Sequence, residues 1–233
     1  MCGRYNVKTT GQELAEAFEI DDDAVLETWR PRYNVAPTQR APIVRVGADG
    51  RRQVALLRWG LVPSWAKDVK IGATLINARS ETIAEKPAFR AALRRRRCLV
   101  PATGFYEWRP NAEGKGKQPL NILRKDGAPF AMAGLFEAWR SPDGASLETF
   151  TILTTAPNAV VAAIHDRMPV ILAPEHAALW LDPEIQSTEL LSGLFVPAPA
   201  DDWTSYLVSS RVGTVSNDDA ELLEPIASQQ PLL

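Results

Sequence analysis

The sequence predicts an α+β fold: one domain of curved, mostly antiparallel β-sheets flanked by short helices. Three observations carry that prediction. Strand-type runs recur along the 233 residues, separated by turn signals. Helical spacing is confined to a few short windows. The 18 prolines and 14 glycines are spread evenly, with no repeat, low-complexity block or linker. Such a chain suits one layered core over residues 1–233 rather than separate modules.

In chain order, Thr10-Gly11-Gln12-Glu13 forms a capping box that opens a short helix through Phe18, with Leu14, Ala17 and Phe18 apolar. Residues 43–46 and 54–59 read as strands joined at Ala48-Asp49-Gly50. Residues 87–96 have helical spacing, with Phe89, Ala92 and Leu93 inward and arginines outward. Residues 98–108 look extended, and a Gly- and Lys-rich turn over 111–117 leads to a strand at 120–124. After Lys125-Asp126-Gly127 an extended run reaches Trp139, and Ser141-Pro142-Asp143-Gly144 turns it into a strand over 147–153. A helix is predicted over 157–164, a strand over 168–172 and a proline-started helix over 174–181. The stretch from Glu224 is expected to fray.

Composition is that of an ordinary globular protein, 45% apolar and 23% charged. Residues 1–10 lack a secretory h-region, and no apolar run reaches the roughly 20 residues that span a bilayer. A cytoplasmic protein without a membrane partner is therefore expected; a monomer is expected as well, though nothing in these features fixes the oligomeric state. Cys2 and Cys98 make no disulfide framework and no Cys-x-x-Cys pair, so neither a metal nor a cofactor is expected. Cys98, in an apolar stretch, reads as an inert buried thiol. The net charge of −2 hides an asymmetry: residues 1–117 carry 21 Lys and Arg against 13 Asp and Glu, the remainder 5 against 15. Lys86, Arg90 and Arg94 to Arg97 form a basic cluster, either a phosphate-tracking patch or a solvated helix face.

Cys2 follows Met1 directly. Removal of Met1 would leave an α-amine and a thiol on adjacent carbons, a 1,2-aminothiol that closes a thiazolidine ring with an aldehyde. Reference pKa values are about 7.7–8.0 for the amine and about 8.5 for the thiol, against about 10.4 for lysine, so both nucleophiles are partly unprotonated near neutrality. The alternative is a retained Met1 and a packed Cys2. Asn77, Arg79 and Glu81 line one wall if their segment is extended, and do not if Ser80 caps a helix. Glu107 stands between Tyr106 and Trp108 in an apolar strand; buried, it suits proton transfer, and otherwise it faces outward or pairs with an arginine. His165 lies at a helix-to-strand junction, as a proton-transfer group or a structural histidine, whereas His176 reads as a surface residue. Trp59 and Trp65 offer either a stacking platform for unpaired bases or core packing.

These clusters occur in a fixed order: Cys2-Gly3-Arg4-Tyr5, Arg32-Tyr33-Asn34-Val35-Ala36-Pro37-Thr38, Arg58-Trp59-Gly60-Leu61-Val62-Pro63-Ser64-Trp65, Asn77-Ala78-Arg79-Ser80-Glu81-Thr82, Gly104-Phe105-Tyr106-Glu107-Trp108 and His165-Asp166-Arg167-Met168-Pro169. The set resembles the SRAP family of SOS-response-associated peptidase-like proteins from residue 2 to about 172, and more weakly to Asn217 and Pro225. The resemblance implies a barrel-like core and a DNA-repair function at the nucleoid. It implies covalent capture of abasic sites in single-stranded DNA, including single-strand/duplex junctions, by the Cys2 amine and thiol. It also implies roles: Asn77 positions, Glu107 and His165 move protons, Arg79 and Arg167 hold phosphates with Arg4 and Asn34 assisting, and Trp59 and Trp65 stack. Two rivals stay open, an N-terminal-nucleophile peptidase or amidase, and a passive single-strand binder.

Overall fold

The computed structural model describes residues 2–21, 24–111, 114 and 116–226. Expectations about Met1, part of the 111–117 turn and the tail past Ile226 lie outside the described residues. The early strands are β1 (Tyr5–Val7), β2 (Arg32–Val35), β3 (Arg40–Val46), β4 (Arg52–Trp59), β5 (Asn77–Arg79), β6 (Arg97–Ala102) and β7 (Gly104–Pro110). The later ones are β8 (Lys117–Arg124), β9 (Phe130–Arg140), β10 (Ser146–Thr155), β11 (Met168–Pro169), β12 (Ile171–Leu172) and β13 (Trp203–Leu207).

The β9–β10 and β3–β4 hairpins supply most of a barrel. β10 runs beside β4, β4 beside β3, β3 beside β6 and β6 beside β9, which pairs with β10 and closes the ring. The seam between β4 and β10 is parallel and short, Thr149 against Arg58 and Phe150 against Trp59. A second, antiparallel sheet has the order β13-β8-β7-β1-β2. Tyr5, Val7, Phe105 and Ile122 of that sheet share one apolar cluster with Val44, Leu57, Leu99 and Phe150 of the barrel. The α+β class and barrel-like core are as the sequence predicts.

Local chemistry explains the helices. The Thr10 hydroxyl accepts from the Glu13 N–H at 3.3 Å and the Glu13 carboxylate from the Thr10 N–H at 2.7 Å, so α1 (Gly11–Phe18) starts on the expected capping box. α2 (Arg90–Arg95) is shorter than its spacing suggests, and α3 (Ala159–Ala162) occupies only the middle of the 157–164 window. The strand expected over 168–172 is split. Past Ile152 the strands β9 and β10 diverge, and Val170 bridges the gap, donating to Leu153 O at 2.9 Å and accepting from Ala133 N at 2.8 Å. β11 therefore pairs with β10 and β12 with β9.

Two glycines fix the route into β5. Gly60 has φ +117°, and a Cβ there would lie 2.5 Å from Gly72 O; a Cβ on Gly72 would lie 2.6 Å from Gly60 O. The two backbones touch, which brings residues 60–61 against 72–76, with Leu61 N donating to Leu75 O at 3.1 Å. Gly60→Ala is expected to destabilise the fold by roughly 1–3 kcal/mol from the backbone conformation alone, with the backbone clash in addition. Urea unfolding measures it; a loss under about 0.5 kcal/mol, within the range of an innocuous surface change, rejects this account.

Candidate active site

Cys2 owes its position to β1. That strand lies between β7 and β2, with Tyr5 opposite Phe105. Arg4 O accepts from Tyr106 N at 2.9 Å, and the same register continued sets Gly3 against Glu107. The Cys2 side chain is wholly buried, with Sγ 3.9 Å from Arg4 O. Asn77 Nδ2 donates to Cys2 O at 2.8 Å. Asn77 itself is placed by β5, which runs parallel to β10 with Asn77 opposite Ile152. Just before it, Ile76 O accepts from Trp59 Nε1 at 2.8 Å and from Ile152 N at 3.2 Å. The Asn77 Oδ1 is buried and has no hydrogen-bond partner among the described residues.

Glu107 is buried in β7, and that burial pushes its carboxyl up to about 7; the negative charge of Asp166 adds to the effect and Lys117 opposes it. A group with that pKa exists in both protonation states near neutrality, as an acid–base catalyst requires. The same neighbourhood raises the Cys2 thiol far above its usual range, mainly by burial and further by the Glu107 charge. His165 is shifted the other way: burial lowers its pKa and so favours the neutral ring. Its Nδ1 lies within reach of the Arg167 backbone N–H at 3.1 Å. Asp166 Oδ1 also lies 2.8 Å from Nδ1, but Asp166 is largely exposed and solvent weakens its pull toward a charged ring. Asp166 and Lys117 were not singled out by the sequence; Asp166 sits inside the His165 motif, whereas nothing local marks Lys117.

The basic residues divide. Arg79 is exposed on β5, opposite Thr154. Arg167 comes in from the other edge of β10, with both terminal nitrogens on the Glu81 carboxylate and Nη2 also on Thr154 O at 2.6 Å. Glu81 is in a 3₁₀ turn rather than a strand, so the alternation expected to align it with Asn77 and Arg79 stops at Arg79. Arg4 and Asn34 have structural work. Arg4 donates to Asn34 Oδ1 at 2.8 Å, Val212 O at 2.6 Å and Gly213 O at 3.0 Å. Asn34 is fully buried and donates to the carbonyls of Val212, Thr214 and Asn217. The expectation that Asn34 contacts DNA is corrected: its amide is sealed against the 212–217 segment.

Trp59 requires the same correction. It is fully buried, edge-on to Tyr5 with ring centroids 5.2 Å apart and stacked on Phe150 at 6.3 Å, so it has no face to offer a base. Its place in the site is indirect, through the hydrogen bond to Ile76 O beside Asn77. Trp65 is 59% exposed. Cys98 is buried and its thiol is raised by desolvation, while His176 is exposed. Among the described residues no group of three or more His, Cys, Asp or Glu side chains could hold a metal ion, and no helix is long and apolar enough to cross a membrane.

Residues 1–215 match the family described as SOS response associated peptidase (SRAP). The chain is 47% identical to the abasic site processing protein YoaM of Bacillus subtilis (strain 168) over 225 residues, 96% of this chain and 98% of that protein. It is 35% identical to the abasic site processing protein YedK of Escherichia coli (strain K12), covering 97% of this chain and 100% of YedK. It is 32% identical to the abasic site processing protein HMCES of Pongo abelii, covering 97% and 76%. A crystal structure of a Bacteroides thetaiotaomicron protein superposes with a TM-score of 0.88 at 29% identity, over 97% of this chain and 100% of that one.

Proposed function

This chain belongs to the SOS response associated peptidase family, and on that premise we propose that it captures abasic sites in single-stranded DNA covalently through the amine and thiol of Cys2. The names of the relatives support the choice of lesion. The single observation that carries the chemistry is the buried Cys2, its carbonyl held by Asn77, within electrostatic reach of a carboxyl whose pKa is about 7.

Loss of Met1 turns the Cys2 amide nitrogen into a primary amine. That amine adds to the C1′ aldehyde of the ring-opened sugar, and water leaves as the imine forms. Sγ then adds to the imine carbon, and the thiol proton passes to the ring nitrogen. Aldehyde plus aminothiol thus gives thiazolidine plus one water. Glu107 takes the proton from the attacking amine and returns one to the departing hydroxyl. His165, whose neutral form burial favours, serves sugar ring opening and the slow reverse reaction. Asn77 fixes the direction of the nucleophile. Arg79 and Arg167 hold the flanking phosphates.

An amidase is the rival reading, and it is separated from capture by its product, a cleaved amide rather than a protein–DNA band. Mixing the protein with a single-stranded oligonucleotide bearing one abasic site, then running a denaturing gel without reductant, tests the proposal. A heat-stable shifted band that depends on the abasic site is expected. No band from protein whose intact mass shows Met1 gone overturns it. Trp65→Ala is expected to weaken binding of an unmodified strand by about 1–3 kcal/mol, the range for one stacked base, with an unchanged melting temperature. Unaltered affinity by fluorescence anisotropy removes Trp65 from the DNA surface.

A further inference from the structure

The Arg167–Glu81 pair is lopsided. The Arg167 side chain is 13% exposed and the Glu81 side chain 53%. Arg167 is anchored from below by Thr154 O at 2.6 Å, and its Nε is buried without a hydrogen-bond partner among the described residues. The guanidinium is therefore fixed in place with little access to water, and it favours a negatively charged partner over none. Glu81 can rotate into solvent at little cost. Its two carboxylate oxygens meet both terminal nitrogens of the guanidinium, the geometry in which arginine also receives two phosphate oxygens. Arg79, two residues before Glu81, is exposed opposite Thr154, on the other edge of the same strand.

We propose that Glu81 is a resident competitor for Arg167: it fills the phosphate position when no strand is bound, and a backbone phosphate displaces it. The inference rests on the DNA-binding part of the reading above but not on the cross-link. Glu81 acts through Arg167 and touches no reacting atom. It keeps the guanidinium charge-paired and correctly aimed, and it subtracts from affinity for any strand, so that strands without a lesion are released readily. The Arg167 hydrogen bonds hold the Glu81 carboxyl below its ordinary range, so the competitor is charged at neutral pH.

The test uses the whole protein and an unmodified oligothymidine strand, with anisotropy as the readout. Glu81→Gln and Glu81→Ala are each expected to tighten binding roughly three- to fivefold, the scale of one partly exposed ion pair. Glu85→Gln, in the same exposed segment, removes the same charge and is expected to change binding less than twofold. In an Arg167→Gln background the gain from Glu81→Gln is expected to vanish. The proposal is overturned if the Glu81 variants bind equally or more weakly, if Glu85→Gln matches them, if the gain survives without Arg167, or if no variant binds the strand. Failure of the cross-link is read separately, on the denaturing gel with the abasic strand.

Discussion

Cys2→Ser is expected to fold and to give no heat-stable band with an abasic strand. The serine hydroxyl keeps the α-amine, so the imine still forms, but the ring it closes is an oxazolidine, which hydrolyses readily. Adding cyanoborohydride, which reduces the imine to a stable amine, is expected to restore the band in Cys2→Ser and in Cys2→Ala. That pair of results separates the two nucleophiles: the amine makes first contact and sulfur makes the product last. An amidase predicts the reverse pattern, residual turnover with serine and none with alanine. Burying a hydroxyl where a thiol sat costs roughly 1–3 kcal/mol unless it finds a partner, and Arg4 O, 3.9 Å from Sγ, is too far to serve a serine hydroxyl without a shift of the chain. Melting curves for both variants check that loss of the band is not loss of the fold. A heat-stable band from Cys2→Ser without reductant would sink the thiazolidine account.

Glu107→Gln should slow capture by about 10²- to 10⁴-fold, the range for a positioned proton-transfer group, and abolish an inflection near pH 7 in the wild-type rate. The same substitution should make the protein more stable at alkaline pH. Burial raises the Glu107 carboxyl from its ordinary 4.5 to about 7, so the fold favours the neutral form. The stability contributed by that form is complete below about 4.5 and lost as pH rises through about 7. Above that the wild type carries a buried charge costing on the order of 3–4 kcal/mol, which glutamine does not. Denaturant titrations at pH 8 and pH 4 measure the difference: the variant should gain at the higher pH and match the wild type at the lower. Equal stability at both, with an unchanged rate profile, would place Glu107 outside the proton path.

What was legible in the sequence was local. The Thr10–Glu13 capping box, the β3–β4 turn and the antiparallel character each follow from neighbours within a few residues. The closure of the barrel does not. β4 meets β10 in parallel through only two residue pairs, across some ninety intervening residues, and no periodicity announces that seam. The site divides in the same way. Asn77 and Arg79 share a strand as alternation predicts, but Glu81 leaves the pattern because the chain turns at Ser80. Tryptophan type could not decide between Trp59 and Trp65. One is enclosed by Tyr5 and Phe150 from distant strands; the other lies on a loop. Arg4 and Asn34 carried a motif whose partners are backbone carbonyls past residue 211, and carbonyls have no residue type to recognise.

The tie between Arg4 and Val212 spans 208 positions of sequence. The carbonyl that anchors Arg4, two residues from Cys2, thus comes from the far end of the described chain. β1 is paired with β2 and β7, while residues 212–218 hold the Arg4 side chain and the backbone of β2. Residues almost at opposite ends of the described chain share one polar joint, and a substitution that displaces the Val212 carbonyl would be felt by Arg4 and Asn34 together.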